Sequence, residues 1–228
     1  MIILLILFQQ LRSLDFRKMK ELNGINFLMN FLYFAQKKDW LKVIIYLHGF
    51  NSSSSSSKAQ LCKKYLKEKG IGDKILIPDL PLSTDKVINL IETLISENEI
   101  IGFIGSSMGG FYACYFANKY NVKGVYVNPV VDDHLPSMLN IVGTYENFNN
   151  GKKDTFSMND YENLNKYSTP KLTFPQNHFL LAQEGDEVLD QRLSLKKFKN
   201  SKISFSKLGN HQFLGFEDKI EQIFDFMI

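Results

Sequence analysis

From residue 42 onward, short apolar runs alternate with stretches whose apolar residues recur at helical spacing. The runs at residues 43–47, 74–78, 100–104, 124–128, 178–183 and 202–206 predict strands, most of them continuous in the manner of strands covered on both faces. Between and after them, residues 59–69, 84–96, 110–120, 188–198 and 216–227 predict helices. The second of these carries Val87, Ile88, Leu90, Ile91, Leu94 and Ile95 on one broad face. Such alternation predicts an α/β fold, a mostly parallel sheet with helices on both faces.

Three segments depart from that rhythm. Residues 131–176 are rich in Asn, Asp, Ser, Lys and Tyr and show no sustained apolar period. An interruption this long reads as an insertion or lid over the sheet, with Met138, Leu139, Ile141, Phe148 and Phe156 lining a pocket or forming a small core of their own. The six serines at 52–57 read as a flexible loop leading into a helix N-cap. Residues 1–42 read as an N-terminal extension. Its apolar stretches at 2–8 and 25–35 fall short of the roughly 20 residues of a membrane span, and no basic residue precedes the first. The extension is expected to form one or two helices that pack on the domain or touch a membrane surface, or to be an overextended start with initiation at Met19 or Met29.

Composition narrows the class. A chain of 228 residues with 44% hydrophobic and 22% charged residues suits one globular α/β domain, here residues 43–228. A net charge of +3 makes no case for nucleic acid, and Lys63, Lys64, Lys67 and Lys69 fit a solvated helix face. Cys62 and Cys114 lack metal-ligand spacing and read as buried free thiols, consistent with a reducing, cytoplasmic setting.

The chemistry concentrates at Gly105-Ser106-Ser107-Met108-Gly109, a G-x-S-x-G pattern between a predicted buried strand and a predicted helix. A serine at such a turn needs residues without side chains two positions before and after it. Gly105 and Gly109 meet that need around Ser107, whereas Ser106 is flanked at those offsets by Ile104 and Met108. A serine hydroxyl becomes a nucleophile only beside a base that a third group orients. On this kind of elbow the chain order is nucleophile, acid, histidine. Asp186, just past the strand at 178–183, and His211, in the loop after the strand at 202–206, satisfy the order. His48, His134 and His178 do not follow Asp186. Asp132 and Asp133 are rival acids, and Asp190 is expected inside the following helix. For the oxyanion hole, the backbone N–H groups of Met108 and of Phe50, in the loop after the first strand, are the expected donors. His48 is expected to hold that loop.

Set side by side, His48-Gly49-Phe50-Asn51-Ser52, Gly105-Ser106-Ser107-Met108-Gly109-Gly110, Asn128-Pro129, Gly185-Asp186-Glu187-Val188-Leu189-Asp190 and Gly209-Asn210-His211 resemble the YqiA/YcfP-type (UPF0227) small esterases of the α/β-hydrolase superfamily. The resemblance spans roughly residues 43–228. It implies an α/β-hydrolase fold lacking the leading strands of larger members, with residues 1–42 outside the family pattern. It implies Ser107, Asp186 and His211 as the triad, a small-molecule ester or acyl thioester as substrate, and no metal or cofactor. The chain departs from the family in its serine tract after Ser53 and in Asn210, where an acidic residue often precedes the histidine. A thioesterase using the same triad, and a binding protein that keeps the scaffold without catalysis, are the alternative readings.

Overall fold

The computed structural model describes residues 42–147 and 151–228. The expectations for residues 1–41 and for Phe148 therefore lie outside the described residues. Six strands form one sheet, all paired in parallel: β1 (Lys42–Leu47), β2 (Ile75–Leu76), β3 (Glu99–Ser106), β4 (Lys123–Val127), β7 (His178–Gln183) and β8 (Lys202–Ser206), in spatial order β2-β1-β3-β4-β7-β8. The inner strands are the apolar runs of the sequence. Every residue of His178–Gln183 is buried, as are Val43–Leu47, because both faces of the sheet are covered.

Helices α1 (Ser57–Glu68) and α6 (Ile220–Met227) cover one face, packing Cys62, Leu66, Ile223 and Phe224 against Ile44, Val125 and Phe179. Helices α2 (Thr84–Glu97), α3 (Met108–Tyr120) and α5 (Gln191–Lys197) cover the other, where Ile91, Phe116 and Phe198 meet Phe103, Tyr126 and Leu180. Cys62 and Cys114 are buried free thiols. Burial pushes their pKa values up to about 12 and about 11, so both stay protonated and inert.

The chain moves outward from β1 to β2 and then returns to the other side of β1 with β3. That reversal opens a crevice at the carboxyl ends of β1 and β3, where open α/β sheets bind ligands.

Residues 131–176 hold more structure than their sequence suggests. A 3₁₀ segment, Asp132–Ile141, leads into an antiparallel hairpin of β5 (Gly143–Glu146) and β6 (Lys153–Phe156), then into α4 (Met158–Leu164). The segment is bonded to the body at several points. Asp154 accepts from Leu82 N at 2.7 Å, Asp160 accepts from Thr84 N at 3.0 Å, and Asn163 donates to Asp85 at 2.8 Å. Phe156 is core, edge-on to Phe50 with centroids 5.6 Å apart, while Leu139 is exposed.

Two expected helices are shorter than their apolar pattern. The one expected from residue 188 starts at Gln191, because Asp190 caps it, its carboxylate accepting from Arg192 N at 3.0 Å. Asp190 therefore precedes that helix and does not lie inside it. Residues 216–219 form a 3₁₀ turn ahead of α6.

Candidate active site

Strand β3 ends at Ser106 and α3 begins at Met108, so the chain reverses direction through Ser107 alone. Ser107 takes φ 54° and ψ −123°, a conformation that costs a non-glycine residue about 1–3 kcal/mol. The surroundings enforce it. Ser107 N donates to Val127 O at 3.1 Å, and Ser107 O accepts from Gly110 N at 2.9 Å and Val130 N at 3.0 Å. A β-carbon on Gly105 would strike the Gly109 carbonyl, and one on Gly109 would strike the carbonyls of Leu47 and His48. The two glycines flanking the serine are thus required by the crossing of strand and helix.

The turn brings Ser107 Oγ to 3.1 Å from His211 Nε2. On the far side of the ring, His211 Nδ1 lies 2.9 and 3.0 Å from the two oxygens of Asp186. An ionised carboxylate only accepts, so the proton sits on Nδ1, and Nε2 is left to accept from the serine hydroxyl. Asp186 also accepts from Val188 N and Leu189 N, both at 2.9 Å, and from Gln191 Nε2 at 2.8 Å. Burial, which leaves its side chain 0% exposed, would raise its pKa, yet the bonds from His211, Leu189 and Val188 outweigh it. The carboxyl is therefore held below its usual value and stays charged. Residues 188–190, expected to be helical, instead form the turn that grips this acid.

The rival groups lie elsewhere. Asp132 pairs with Lys197 and accepts from Ser168 Oγ and Thr169 N at 2.7 Å, while Asp133 forms an exposed pair with Lys196 at 3.0 Å. His48 Nε2 accepts from Leu80 N at 2.9 Å, so its Nδ1 donates to Gly49 O at 2.9 Å. This buried histidine, its pKa lowered by desolvation, is neutral and ties the β1–α1 loop to the chain after β2. His134 plays a similar part, Nδ1 accepting from Val131 N at 3.0 Å and Nε2 donating to Asp190 O at 3.0 Å.

A cavity of about 290 Å³ opens at Ser107 and His211, near the lower end of the roughly 300–1,000 Å³ usual for ligand pockets. Phe50, Met108, Val130, Met138, Ile141, Val188 and Leu189 supply its apolar wall. Of the insertion residues expected to line a pocket, Met138 and Ile141 do so. The Phe50 ring is held edge-on by Tyr145, centroids 5.0 Å apart, and the Gly49 loop abuts the serine: a β-carbon on Gly49 would sit 3.3 Å from Ser107 Cβ. Among the described residues, neither Phe50 N–H nor Met108 N–H has a hydrogen-bond partner.

A model of the family described as "Uncharacterised protein family (UPF0227)" matches residues 43–228. The chain belongs to this family. The match begins inside β1, so the shared unit is the sheet and its helices, and the UPF0227 domain here is an α/β-hydrolase fold. Solved structures agree on that fold. Est1E from Butyrivibrio proteoclasticus, with ferulic acid bound, superposes with a TM-score of 0.58 at 16% identity, over 82% of this chain and 88% of its own. Alpha/beta hydrolase domain-containing protein 10 from mouse gives 0.58 at 14% identity, over 80% and 89%. A structure described under "LipS and LipT, two metagenome-derived lipolytic enzymes" gives 0.58 at 12% identity, over 82% and 94%. Among the described residues no helix is long and apolar enough to cross a membrane.

Two buried amides of this UPF0227 chain support the histidine loop, and the sequence assigned neither of them a role, although Asn128 stands in the Asn128-Pro129 pair. Asn128, fully buried with φ 42°, donates from Nδ2 to the carbonyls of Asn210 at 2.9 Å and His211 at 3.3 Å. Its Oδ1 accepts from Gln183 N at 2.9 Å. Gln183 in turn accepts from Asn210 N at 3.1 Å and Leu214 N at 2.9 Å, and donates to Leu214 O at 2.8 Å. The available signal was a polar residue closing a strand buried along its whole length.

Proposed function

We propose that this protein is a serine hydrolase that cleaves carboxylic esters through an acyl-enzyme on Ser107. The observation that carries this reading is the unbroken hydrogen-bonded line from Asp186 through His211 to Ser107 Oγ, opening on a cavity with an apolar wall. In the first half-reaction His211 Nε2 takes the serine proton as Oγ bonds to the ester carbonyl carbon. The N–H groups of Phe50 and Met108 donate to the carbonyl oxygen and stabilise the charge that develops on it. His211 returns the proton to the departing alkoxide, leaving the acyl group on Ser107. Water, deprotonated by His211, then attacks the acyl carbon, and the serine leaves with that proton. Asp186 stays ionised throughout, fixing the tautomer and stabilising the imidazolium. Similarity in fold to proteins named as esterases and lipolytic enzymes supports an ester substrate, and an acyl-CoA thioester would pass through the same steps.

The test is steady-state hydrolysis of p-nitrophenyl butyrate by the wild type and Ser107→Ala. Turnover is expected to vanish in the variant while Tm stays within a few degrees. A variant as active as the wild type removes Ser107 from the mechanism, and a folded wild type inert toward the whole p-nitrophenyl and acyl-CoA series favours a binding protein.

A further inference from the structure

The cavity at Ser107 also has a polar wall, to which the reaction outlined above assigns no task. It is made by Tyr46, Ser52, Ser56, Ser57 and Lys58, at the end of β1 and the start of α1. Lys58 is partly buried in the first turn of α1, and among the described residues its ammonium has one partner, the Gln212 carbonyl at 3.0 Å. No carboxylate of the described residues pairs with it. Burial alone lowers its pKa, the direction expected of a cation that lacks a counter-charge.

Its place in the helix makes this costlier. The first turn of α1 carries no acidic residue, and the N-cap, Ser56, makes no side-chain capping bond. A lysine at the positive end of a helix dipole is unfavourable unless an anion joins it. The hydroxyls beside it are also unsatisfied. Among the described residues, Ser56 Oγ is buried without a partner, and so is the hydroxyl of Tyr46, a residue 0% exposed. Ser106 comes near the Tyr46 hydroxyl without satisfying it. Orphaned buried hydroxyls call for an explanation, and here the two residues that carry them share one cavity with a cation that has no carboxylate partner and with an uncapped helix start.

We propose that this wall binds an anionic group of the substrate, a carboxylate or a phosphate, and that Lys58 is the specificity-determining residue. The inference rests on the serine-hydrolase reading and adds the substrate class: an ester with an apolar part and an anionic part on opposite sides of the scissile bond. The sheet order supports that division. β1, which delivers the polar wall together with Phe50, and β4, which leads to the apolar Val130, Met138 and Ile141, flank β3 on opposite sides.

The experiment compares kcat/KM for p-nitrophenyl butyrate with that for two anionic esters. Mono-p-nitrophenyl glutarate carries its carboxylate on the acyl side, and 4-butyryloxybenzoate carries it on the leaving group. A phosphate in place of the latter carboxylate, as 4-butyryloxyphenyl phosphate, separates the two kinds of anion. The wild type is expected to favour at least one anionic ester. Lys58→Met should lower the anionic-to-neutral ratio tenfold or more, Lys58→Arg should keep it, and added salt should erode it. A role limited to holding the Gln212 carbonyl would change both substrates alike, and an unchanged ratio in Lys58→Met overturns the inference. Turnover of the neutral ester that survives Ser107→Ala would instead overturn the hydrolase reading. Calorimetric titration of the same esters into Ser107→Ala and into the Ser107→Ala, Lys58→Met double variant reads the anion site without chemistry. Equal affinities in the two proteins would overturn the proposal whatever the fate of the catalytic reading.

Discussion

Replacing Asn128 tests whether the histidine is held from behind by the amide pair. Asn128→Ala removes three hydrogen bonds, to Gln183 N, Asn210 O and His211 O, in a fully buried place. At about 1 kcal/mol net for each bond, that is about 3 kcal/mol. The backbone adds a further term, since φ 42° costs alanine about 1–2 kcal/mol more than it costs glycine. The expected losses are therefore about 4 kcal/mol for Asn128→Ala and about 3 kcal/mol for Asn128→Gly. In a domain of this size each kcal/mol moves Tm by about 2–4 °C, so the alanine variant should melt about 10 °C lower. With two of its carbonyls released, the His211 loop shifts, and a displacement of about 1 Å costs on the order of 10²-fold in rate. Urea unfolding and kcat for p-nitrophenyl butyrate at a temperature where both proteins are folded provide the two readouts. A variant that loses stability but keeps kcat would show that Asn128 supports the fold alone. One unchanged in both would refute the reasoning outright.

Asp186→Asn should lower kcat by about 10³ to 10⁴, whereas Asp133→Asn, which breaks only an exposed pair with Lys196, should leave it within twofold; the reverse pattern would move the acid to the other strand end. Gly109→Ala forces a β-carbon into the Leu47 and His48 carbonyls and should leave little soluble protein, so a well-folded variant would contradict the close crossing of β1 and α3. His178 is 1% exposed, with a pKa lowered to about 4 by burial and by the charge of Lys197. Its unfolded value is near 6.5, so the unfolded chain binds the extra proton first, and stability falls as pH drops from about 6.5 to about 4. The loss is on the order of 3 kcal/mol. His178→Gln should flatten that slope in urea midpoints taken at pH 7 and pH 4.5, and parallel slopes would exclude the histidine as its source.

The strands were legible because burial on both faces leaves them almost nothing but Val, Ile, Leu and Phe, as in Val43–Leu47 and Phe179–Leu181. Ser107 was legible because its backbone strain demands glycines on both sides, and Asp186 and His211 because chain order leaves few candidates. The insertion was not. Its hairpin alternates half-buried and exposed residues, with Phe156 alone of the two strands fully buried, over four-residue strands too short for a period to register. The helix start near residue 188 was misjudged because Val188 and Leu189 are apolar for a different reason: they face the cavity while their amides hold Asp186. Gln183 carries no motif and Asn128 only the Asn128-Pro129 pair, since their role comes from three distant segments meeting at one edge of the sheet. The serine tract looked like slack chain, yet Ser54 N bonds Asp79 at 2.6 Å and Ser53 Oγ lies 2.7 Å from Ser55 Oγ.

Phe50, Met108, Val188 and Leu189 each present a side chain to the cavity; the amides of Val188 and Leu189 hold Asp186, and in the mechanism proposed above those of Phe50 and Met108 face the reacting carbonyl. Such a residue holds two separable posts. Any amino acid except proline offers the amide, so the part that serves chemistry is indifferent to the part that meets the substrate. A descendant of this protein could exchange all four side chains for others, reshaping what the pocket accepts, without disturbing one hydrogen bond of the catalytic apparatus. The architecture thereby leaves substrate choice open to drift and selection while the proposed reaction stays fixed, a form of evolvability written into the main chain.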